Sequence, residues 1–465
     1  MKQILSLALA AVMALTGCAG AAERLPDEPQ SNHNSAQNNP GYVNPSILSL
    51  AEPVYPEFPQ QPQWPEEDSE QARNAYWRDL GAYYDALPAI RGSGLTEAEQ
   101  GMVNAFAAKS LPLVIADHEG ENAVYSPLSL WSALAMLAQC AGGDSRRQVL
   151  DALEVDSVDD LQDTVSHVWQ TLYTDDGLSS LILGNSIWLN GNLQGTYVQD
   201  TLDTLAQKYF AGVYSVPMGT ESADLAVANW VDRQTNGLIG ADAPVVETLP
   251  ETLALLVSSL YYRAAWADEF SAGQTEEDVF TDAAGNDSRV DFMHKTKSAN
   301  FLRPEGCQAA SLNTQLGEMV FVLPDEGVTP ESLLQQPDFL AHLDFNGDTL
   351  WGEVQWSVPK FDVDSSLDLI SALKNLGITD LPDPDRADLS QLTDLDAFLS
   401  GARQLARVTV DEEGVEAAAV TIMGMLTSGP PQPTEVCVMD LDRPFLFVIR
   451  TEGIPLFVGI VNQIK

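Results

Sequence analysis

From residue 96 to the C-terminus, apolar residues recur at spacings that alternate between helical and strand-like. Thr96 to Ala108 opens with Thr96 and Glu99 three positions apart, a capping box that satisfies two free amides at a helix start, and predicts a helix. Pro127 to Ala138 and Ser365 to Leu376 carry the same period and predict two more. Ser180 to Leu189, Leu253 to Tyr262, Met319 to Leu323, Gly352 to Pro359, Ala406 to Val410 and Pro444 to Ile449 read as strands. Helices gather early and strands late, an α+β order.

The N-terminal hundred residues follow other patterns. Lys2 precedes an apolar run from Ile4 to Leu15, too short to span a bilayer as a mature helix and laid out like a signal peptide. From Ala19 to about Leu95, Asn, Gln, Pro, Ser and Glu dominate, a composition that buries little apolar surface and favours an extended tether. Within it, the aromatics of Tyr76 to Leu87 recur at helical spacing, which leaves open a short helix docked on the body. The division expected is therefore a leader over 1–17, a tether over 18–95 and a folded domain over 96–465.

Composition narrows the function. The chain is 45% hydrophobic and has 67 acidic against 23 basic residues, a net charge of −44. So negative a surface repels phosphate backbones and anionic lipid, which excludes nucleic acid and basic cofactor sites as themes. Cys140, Cys307 and Cys437 have no CxxC spacing and allow at most one bridge, and Cys140 reads as a small core residue. His33, His118, His167, His294 and His342 fall in no HExxH or other metal-ligand spacing, and there is no GxSxG elbow or glycine-rich phosphate loop. An enzyme is not expected, nor a metal or cofactor.

The informative segment lies near the C-terminus. Asp411 to Val420 reads DEEGVEAAAV: Gly414 allows a backbone pivot, and Val415, Ala417, Ala419 and Thr421 put short residues at every second position of an extended segment. Such a segment is shaped to slip between two strands. The stretch resembles the hinge of the serpin family (roughly EEGTEAAAAT), here Glu412, Glu413, Gly414, Val415, Glu416, Ala417, Ala418 and Ala419, followed by the Pro-Phe pair at Pro444 and Phe445. Asn122 to Leu130 (NAVYSPLSL), Leu183 to Asn190 (LGNSIWLN), Trp230 to Ile239, Ala254 to Phe270 and Val358 to Leu389 are similar to further family segments in the same order. The resemblance covers about residues 96 to 465.

It implies three sheets with packed helices, an exposed reactive loop, and suicide inhibition. A target protease attacks the loop, and the cut loop inserts as a new strand before the acyl-enzyme can be hydrolysed. About a dozen inserted residues would yield on the order of ten kcal/mol in ladder hydrogen bonds and packing, and a strand of ~14 residues spans roughly 46 Å. Family loop length puts the reactive bond between Ser428 and Gly429, with Met425, Leu426 and Thr427 entering the cleft. Without Arg or Lys there, elastase-like or subtilisin-like serine proteases fit; papain-like cysteine proteases and a non-inhibitory partner-binding protein are the alternatives. The resemblance also implies a buried polar cluster beneath the opening strands, with Ser126, Ser129, Ser258 and Gln404 where the family commonly has an Asn and a His beside two serines, and Trp266 at the point where the loop enters. Leu15 to Cys18 (LTGC) resembles the bacterial lipoprotein box, which implies a lipid on Cys18, its one membrane attachment, and a monomer on the outer side of the cell envelope.

Overall fold

The computed structural model describes residues 6–17, 47–65, 69–92, 94–116, 118–240, 247–412 and 435–464. In chain order these give β1 (Ser6–Gly17), β2 (Leu48–Ala51), α1 (Glu70–Arg91), α2 (Glu97–Ile115), β3 (Ala123–Tyr125), α3 (Pro127–Cys140), α4 (Gly143–Leu153), α5 (Val158–Leu172), β4 (Thr174–Asp175) and β5 (Ser180–Asn190). They continue as α6 (Gln199–Lys208), β6 (Ala211–Val216), α7 (Glu221–Gln234), β7 (Thr252–Arg263), β8 (Thr275–Thr281), β9 (Asp287–Leu302), β10 (Cys307–Asn313), β11 (Glu318–Pro324) and α8 (Pro330–Leu334). The last are β12 (Leu350–Pro359), β13 (Phe361–Asp368), α9 (Ile370–Asn375), β14 (Ala397–Val410), β15 (Glu435–Asp440), β16 (Phe445–Thr451) and β17 (Ile454–Val461).

The first sheet runs β13-β14-β1-β7-β5-β6-β2, with β4 on β5. The second runs β15-β12-β9-β10-β11-β16-β17-β3, with β8 on β9. Among the described residues its two halves pair strand to strand only where Ala309 and Ala310 of β10 stand opposite Leu302 and Phe301 of β9, so the three sheets expected appear as one separate sheet and two joined at a narrow seam.

β7 explains how the first sheet is held. Its sequence TLALLVSSLYYR is apolar almost throughout, the mark of a strand covered on both faces. Ala254, Leu256, Leu260 and Tyr262 belong to the main core, which includes most of α3, whereas Leu255, Val257 and Tyr261 join Trp188, Val227 and Trp230 in a second core under α7. Apolar burial at about 25 cal/mol per Å² makes these two layers the main source of stability.

Two expectations need correction. Ser365 to Leu376 is not one helix: Ser365–Asp368 complete β13, which pairs with β14 from Phe361↔Val410 to Asp368↔Arg403, and the helix begins at Ile370. The helical period there was outweighed by a ready strand edge. The expected tether packs against the body from residue 47 onward. Tyr55 stacks on Trp169 (5.2 Å) and Tyr173 (5.4 Å), and the Gln61 N–H donates to the Asp176 carbonyl at 2.9 Å. Helix α1 is capped by Ser69 and pinned where Tyr83 Oη donates to Asp176 Oδ2 at 2.6 Å. Gly177, beside Gln60 in this contact, takes a φ of +86°, a left-handed conformation that favours glycine. The apolar run read as a leader supplies β1 inside the first sheet of the chain that retains it.

Candidate functional site

Helix α3 starts under the middle of the first sheet. Ser126 is its N-cap, accepting the Ser129 N–H on Oγ at 3.2 Å, and Pro127 at the first helical position lacks the donor that would go unused there. The Ser126 N–H donates to Gln404 Oε1 at 2.9 Å and Gln404 Nε2 donates to the Ser126 carbonyl at 3.1 Å, tying the helix start to β14. Ser129 Oγ lies 3.2 Å from Ser258 Oγ and 3.3 Å from the Ser258 carbonyl, tying the first helical turn to β7. All four side chains are buried. The structure thus brings Ser126, Ser129, Ser258 and Gln404 into one hydrogen-bonded cluster spanning the two strands that flank β1.

Trp266 does not join that cluster. It stands beyond the end of β7, where its Nε1 donates to the Asp411 carbonyl at 3.0 Å and its ring meets Phe270 edge-on at 6.1 Å. The Phe270 N–H donates to the Glu412 carbonyl at 3.2 Å. Glu412, the first hinge residue, is held on both carboxylate oxygens, by Lys360 Nζ at 2.9 Å and by Thr275 Oγ1 at 2.8 Å. Partial burial raises the Glu412 carboxyl, but the Lys360 and Thr275 hydrogen bonds outweigh it and hold it below the usual range. Burial likewise lowers the Lys360 ammonium, and Glu412 more than restores it. Lys360 falls within the family-like segment Val358 to Leu389, and its one signal in the sequence is a cation followed by the acidic Asp362 and Asp364.

Between these two features runs β1. It is antiparallel to β14 from Leu7↔Val408 to Gly17↔Ala397 and antiparallel to β7 from Ser6↔Arg263 to Thr16↔Thr252. Ala11 stands opposite Gln404 on one side and Ser258 on the other. Met13, opposite Ala402 and Leu256, is wholly buried in the main core.

Glu413 to Ala419, the subsites Met425, Leu426 and Thr427, the bond Ser428–Gly429, and Cys18 lie outside the described residues. The chain is described again at β15, parallel to β12 from Gly352↔Glu435 to Ser357↔Asp440. Arg303 clasps it, donating from Nη2 to the Val436 carbonyl at 2.9 Å and pairing with Glu435 at 3.3 Å. Gly352 permits the approach, since a Cβ there would lie 2.3 Å from the Glu435 carbonyl oxygen. Among the described residues no group of His, Cys, Asp and Glu has the arrangement of a metal site, and no helix is long and apolar enough to cross a membrane.

Residues 102–464 match the family model described as Serpin (serine protease inhibitor). Serpin-Z2B of Triticum aestivum is 31% identical over 369 residues, covering 74% of this chain and 90% of the relative. Alpha-1-antiproteinase of Rattus norvegicus is 30% identical, covering 73% and 82%. Among solved structures, the native state of the thermophilic serpin tengpin aligns with a TM-score of 0.70 at 27% identity, covering 80% of this chain and 96% of that one. Human thyroxine-binding globulin, solved as a complex with thyroxine, aligns at 0.67 and 21% identity, covering 79% and 99%.

Proposed function

Because the chain belongs to the serpin family, whose members are generally protease inhibitors, we propose that it traps a target endopeptidase as a covalent acyl complex. In this reading the protease nucleophile attacks the Ser428 carbonyl, the amine of Gly429 leaves, and the severed loop enters the first sheet between β7 and β14. The chemistry is the protease's own, so the chain is not an enzyme. With Met425 to Ser428 uncharged, the targets are elastase-like or subtilisin-like serine proteases. One observation carries the reading: the position between β7 and β14 takes a twelve-residue strand antiparallel to both. The clamp on Glu412 fixes the first residue of the hinge at that position's mouth.

The test is to mix protein purified from the cell envelope with elastase. An adduct that survives SDS supports inhibition; a clean cut near Ser428 with protease left active refutes it. The competing reading, a non-inhibitory protein whose loop is merely a substrate, is favoured by the sheet position being filled already by β1.

The lipobox-like LTGC string supports acylation of Cys18 and a place for the protein, as a monomer, on the outer side of a bacterial envelope. Cys18→Ser would then move it from the membrane fraction to the soluble one; unchanged fractionation would refute the anchor.

A further inference from the structure

Resting on the inhibitory reading, we propose that residues 6–17 are a built-in occupant of the strand-binding slot between β7 and β14, so that a chain keeping them cannot take its own cleaved loop into the sheet.

The registers leave no room for a second strand. β1 pairs without a gap along nearly the whole of β7 and β14, apart from one irregularity on each side near Leu15. In the described sheet β7 and β14 have no pairing with one another; each has β1 as its neighbour on that side. The block begins at the mouth. A hinge turning back after Glu412 would first have to stand opposite the last residues of β14, and Leu7 already stands opposite Val408, with Ser6 opposite Arg263 of β7. At mid-sheet Ala11 fills the level of Ser258 and Gln404, where α3 is tied to both strands.

The sequence suits this position. Ala8, Ala10, Val12 and Ala14 repeat short residues at two-residue spacing, as Val415, Ala417 and Ala419 do in the hinge, while Met13 anchors the strand in the core. The slot is therefore a site for an apolar antiparallel strand rich in small residues, and the chain carries two such segments. The consequence is thermodynamic. A loop that must displace an equally paired strand forms about as many ladder hydrogen bonds as it breaks, so insertion loses its driving force. A chain without residues 1–17 has the slot available and the driving force restored.

The test uses the full chain carrying Cys18→Ser, made without export so that residues 1–17 stay attached, as intact mass verifies. Amides of residues 7–17 are expected to exchange about a hundredfold or more slower than in a free peptide of the same sequence; exchange at the free-peptide rate overturns the proposal. Met13→Asp puts a charge into the core, and Ala11→Pro independently removes a ladder donor, so either is expected to abolish that protection. Met13→Leu is expected to keep it. A fluorescent peptide of residues 413–424 should bind both displaced variants and not the parent; equal uptake by the parent overturns the proposal. With elastase, the displaced variants should form the SDS-stable adduct that the parent does not. Adduct formation by the parent at the variants' level overturns the proposal and leaves the inhibitory reading standing. Protection in the parent and peptide uptake by the variants, with no adduct from either, upholds the occupied slot and removes the inhibitory reading.

Discussion

Gln404 grips Ser126 by both ends of its amide, accepting from the N–H at 2.9 Å and donating to the carbonyl at 3.1 Å. The carbonyl keeps a second donor in the Leu130 N–H, but among the described residues the Ser126 N–H has no second acceptor. Gln404→Leu should therefore leave one buried donor unpaired and lower unfolding free energy by about 1–3 kcal/mol, read from urea unfolding midpoints. An unchanged midpoint would mean that the grip contributes nothing.

None of Ser126, Ser129, Ser258 and Gln404 titrates near neutrality. The inhibition rate on a non-titrating target should show no step between about pH 5.5 and 8 that belongs to this cluster, and Gln404→His should introduce one.

The Glu412–Lys360 pair sets a different pH window. The Glu412 carboxyl is held below its ordinary value of 4.5, so its contribution is complete above that value and lost as pH falls through the folded one. The Lys360 ammonium is held above 10.5, so its contribution is complete below that value and lost as pH rises through the folded one. The stability difference between wild type and Glu412→Gln should thus be flat across neutral pH and shrink in acid below the carboxylate range. A difference that grows in acid would contradict the clamp.

Tyr83→Phe removes the hydroxyl that donates to buried Asp176 and should cost about 1 kcal/mol or more. Because α1 is attached through few such contacts, limited proteolysis should cut residues 70–91 from the variant well before the wild type.

Burial pushes the thiols of Cys140 and Cys307 up to about 12 and that of Cys437 up to about 11, so almost no thiolate exists at neutral pH. Native protein should give none of these three to an alkylating reagent at pH 8, and all three after denaturation.

Legibility in the sequence followed the strength of each pattern. β5, β7, β11 and β12 agree with expectation to within about two residues, because the first three are dominated by apolar residues and β12 alternates buried with exposed positions. β14 begins at Ala397, nine residues before the expected start, since Gly401, Arg403 and Gln404 interrupt its alternation; Gln404 nonetheless faces inward because α3 offers it a partner. Helix α2 runs on to Ile115 through Pro112, past the expected end at Ala108. The cluster residues were legible through family likeness alone, because a buried Ser or Gln carries no period. Lys360 and Glu412 meet across about fifty residues of sequence, a pairing no local pattern encodes.

The clasp of Arg303 on β15 bears on what a cut loop becomes. The upstream stump belongs to β14 in one sheet, and the downstream stump to β15 in the other, moored by Arg303 and by Gln308 Nε2 donating to the Val438 carbonyl at 2.5 Å. Severing the peptide between them yields two polypeptides but one particle: the C-terminal fragment, threaded through β16 and β17 into the core, stays aboard, and the break is visible only once the protein is denatured.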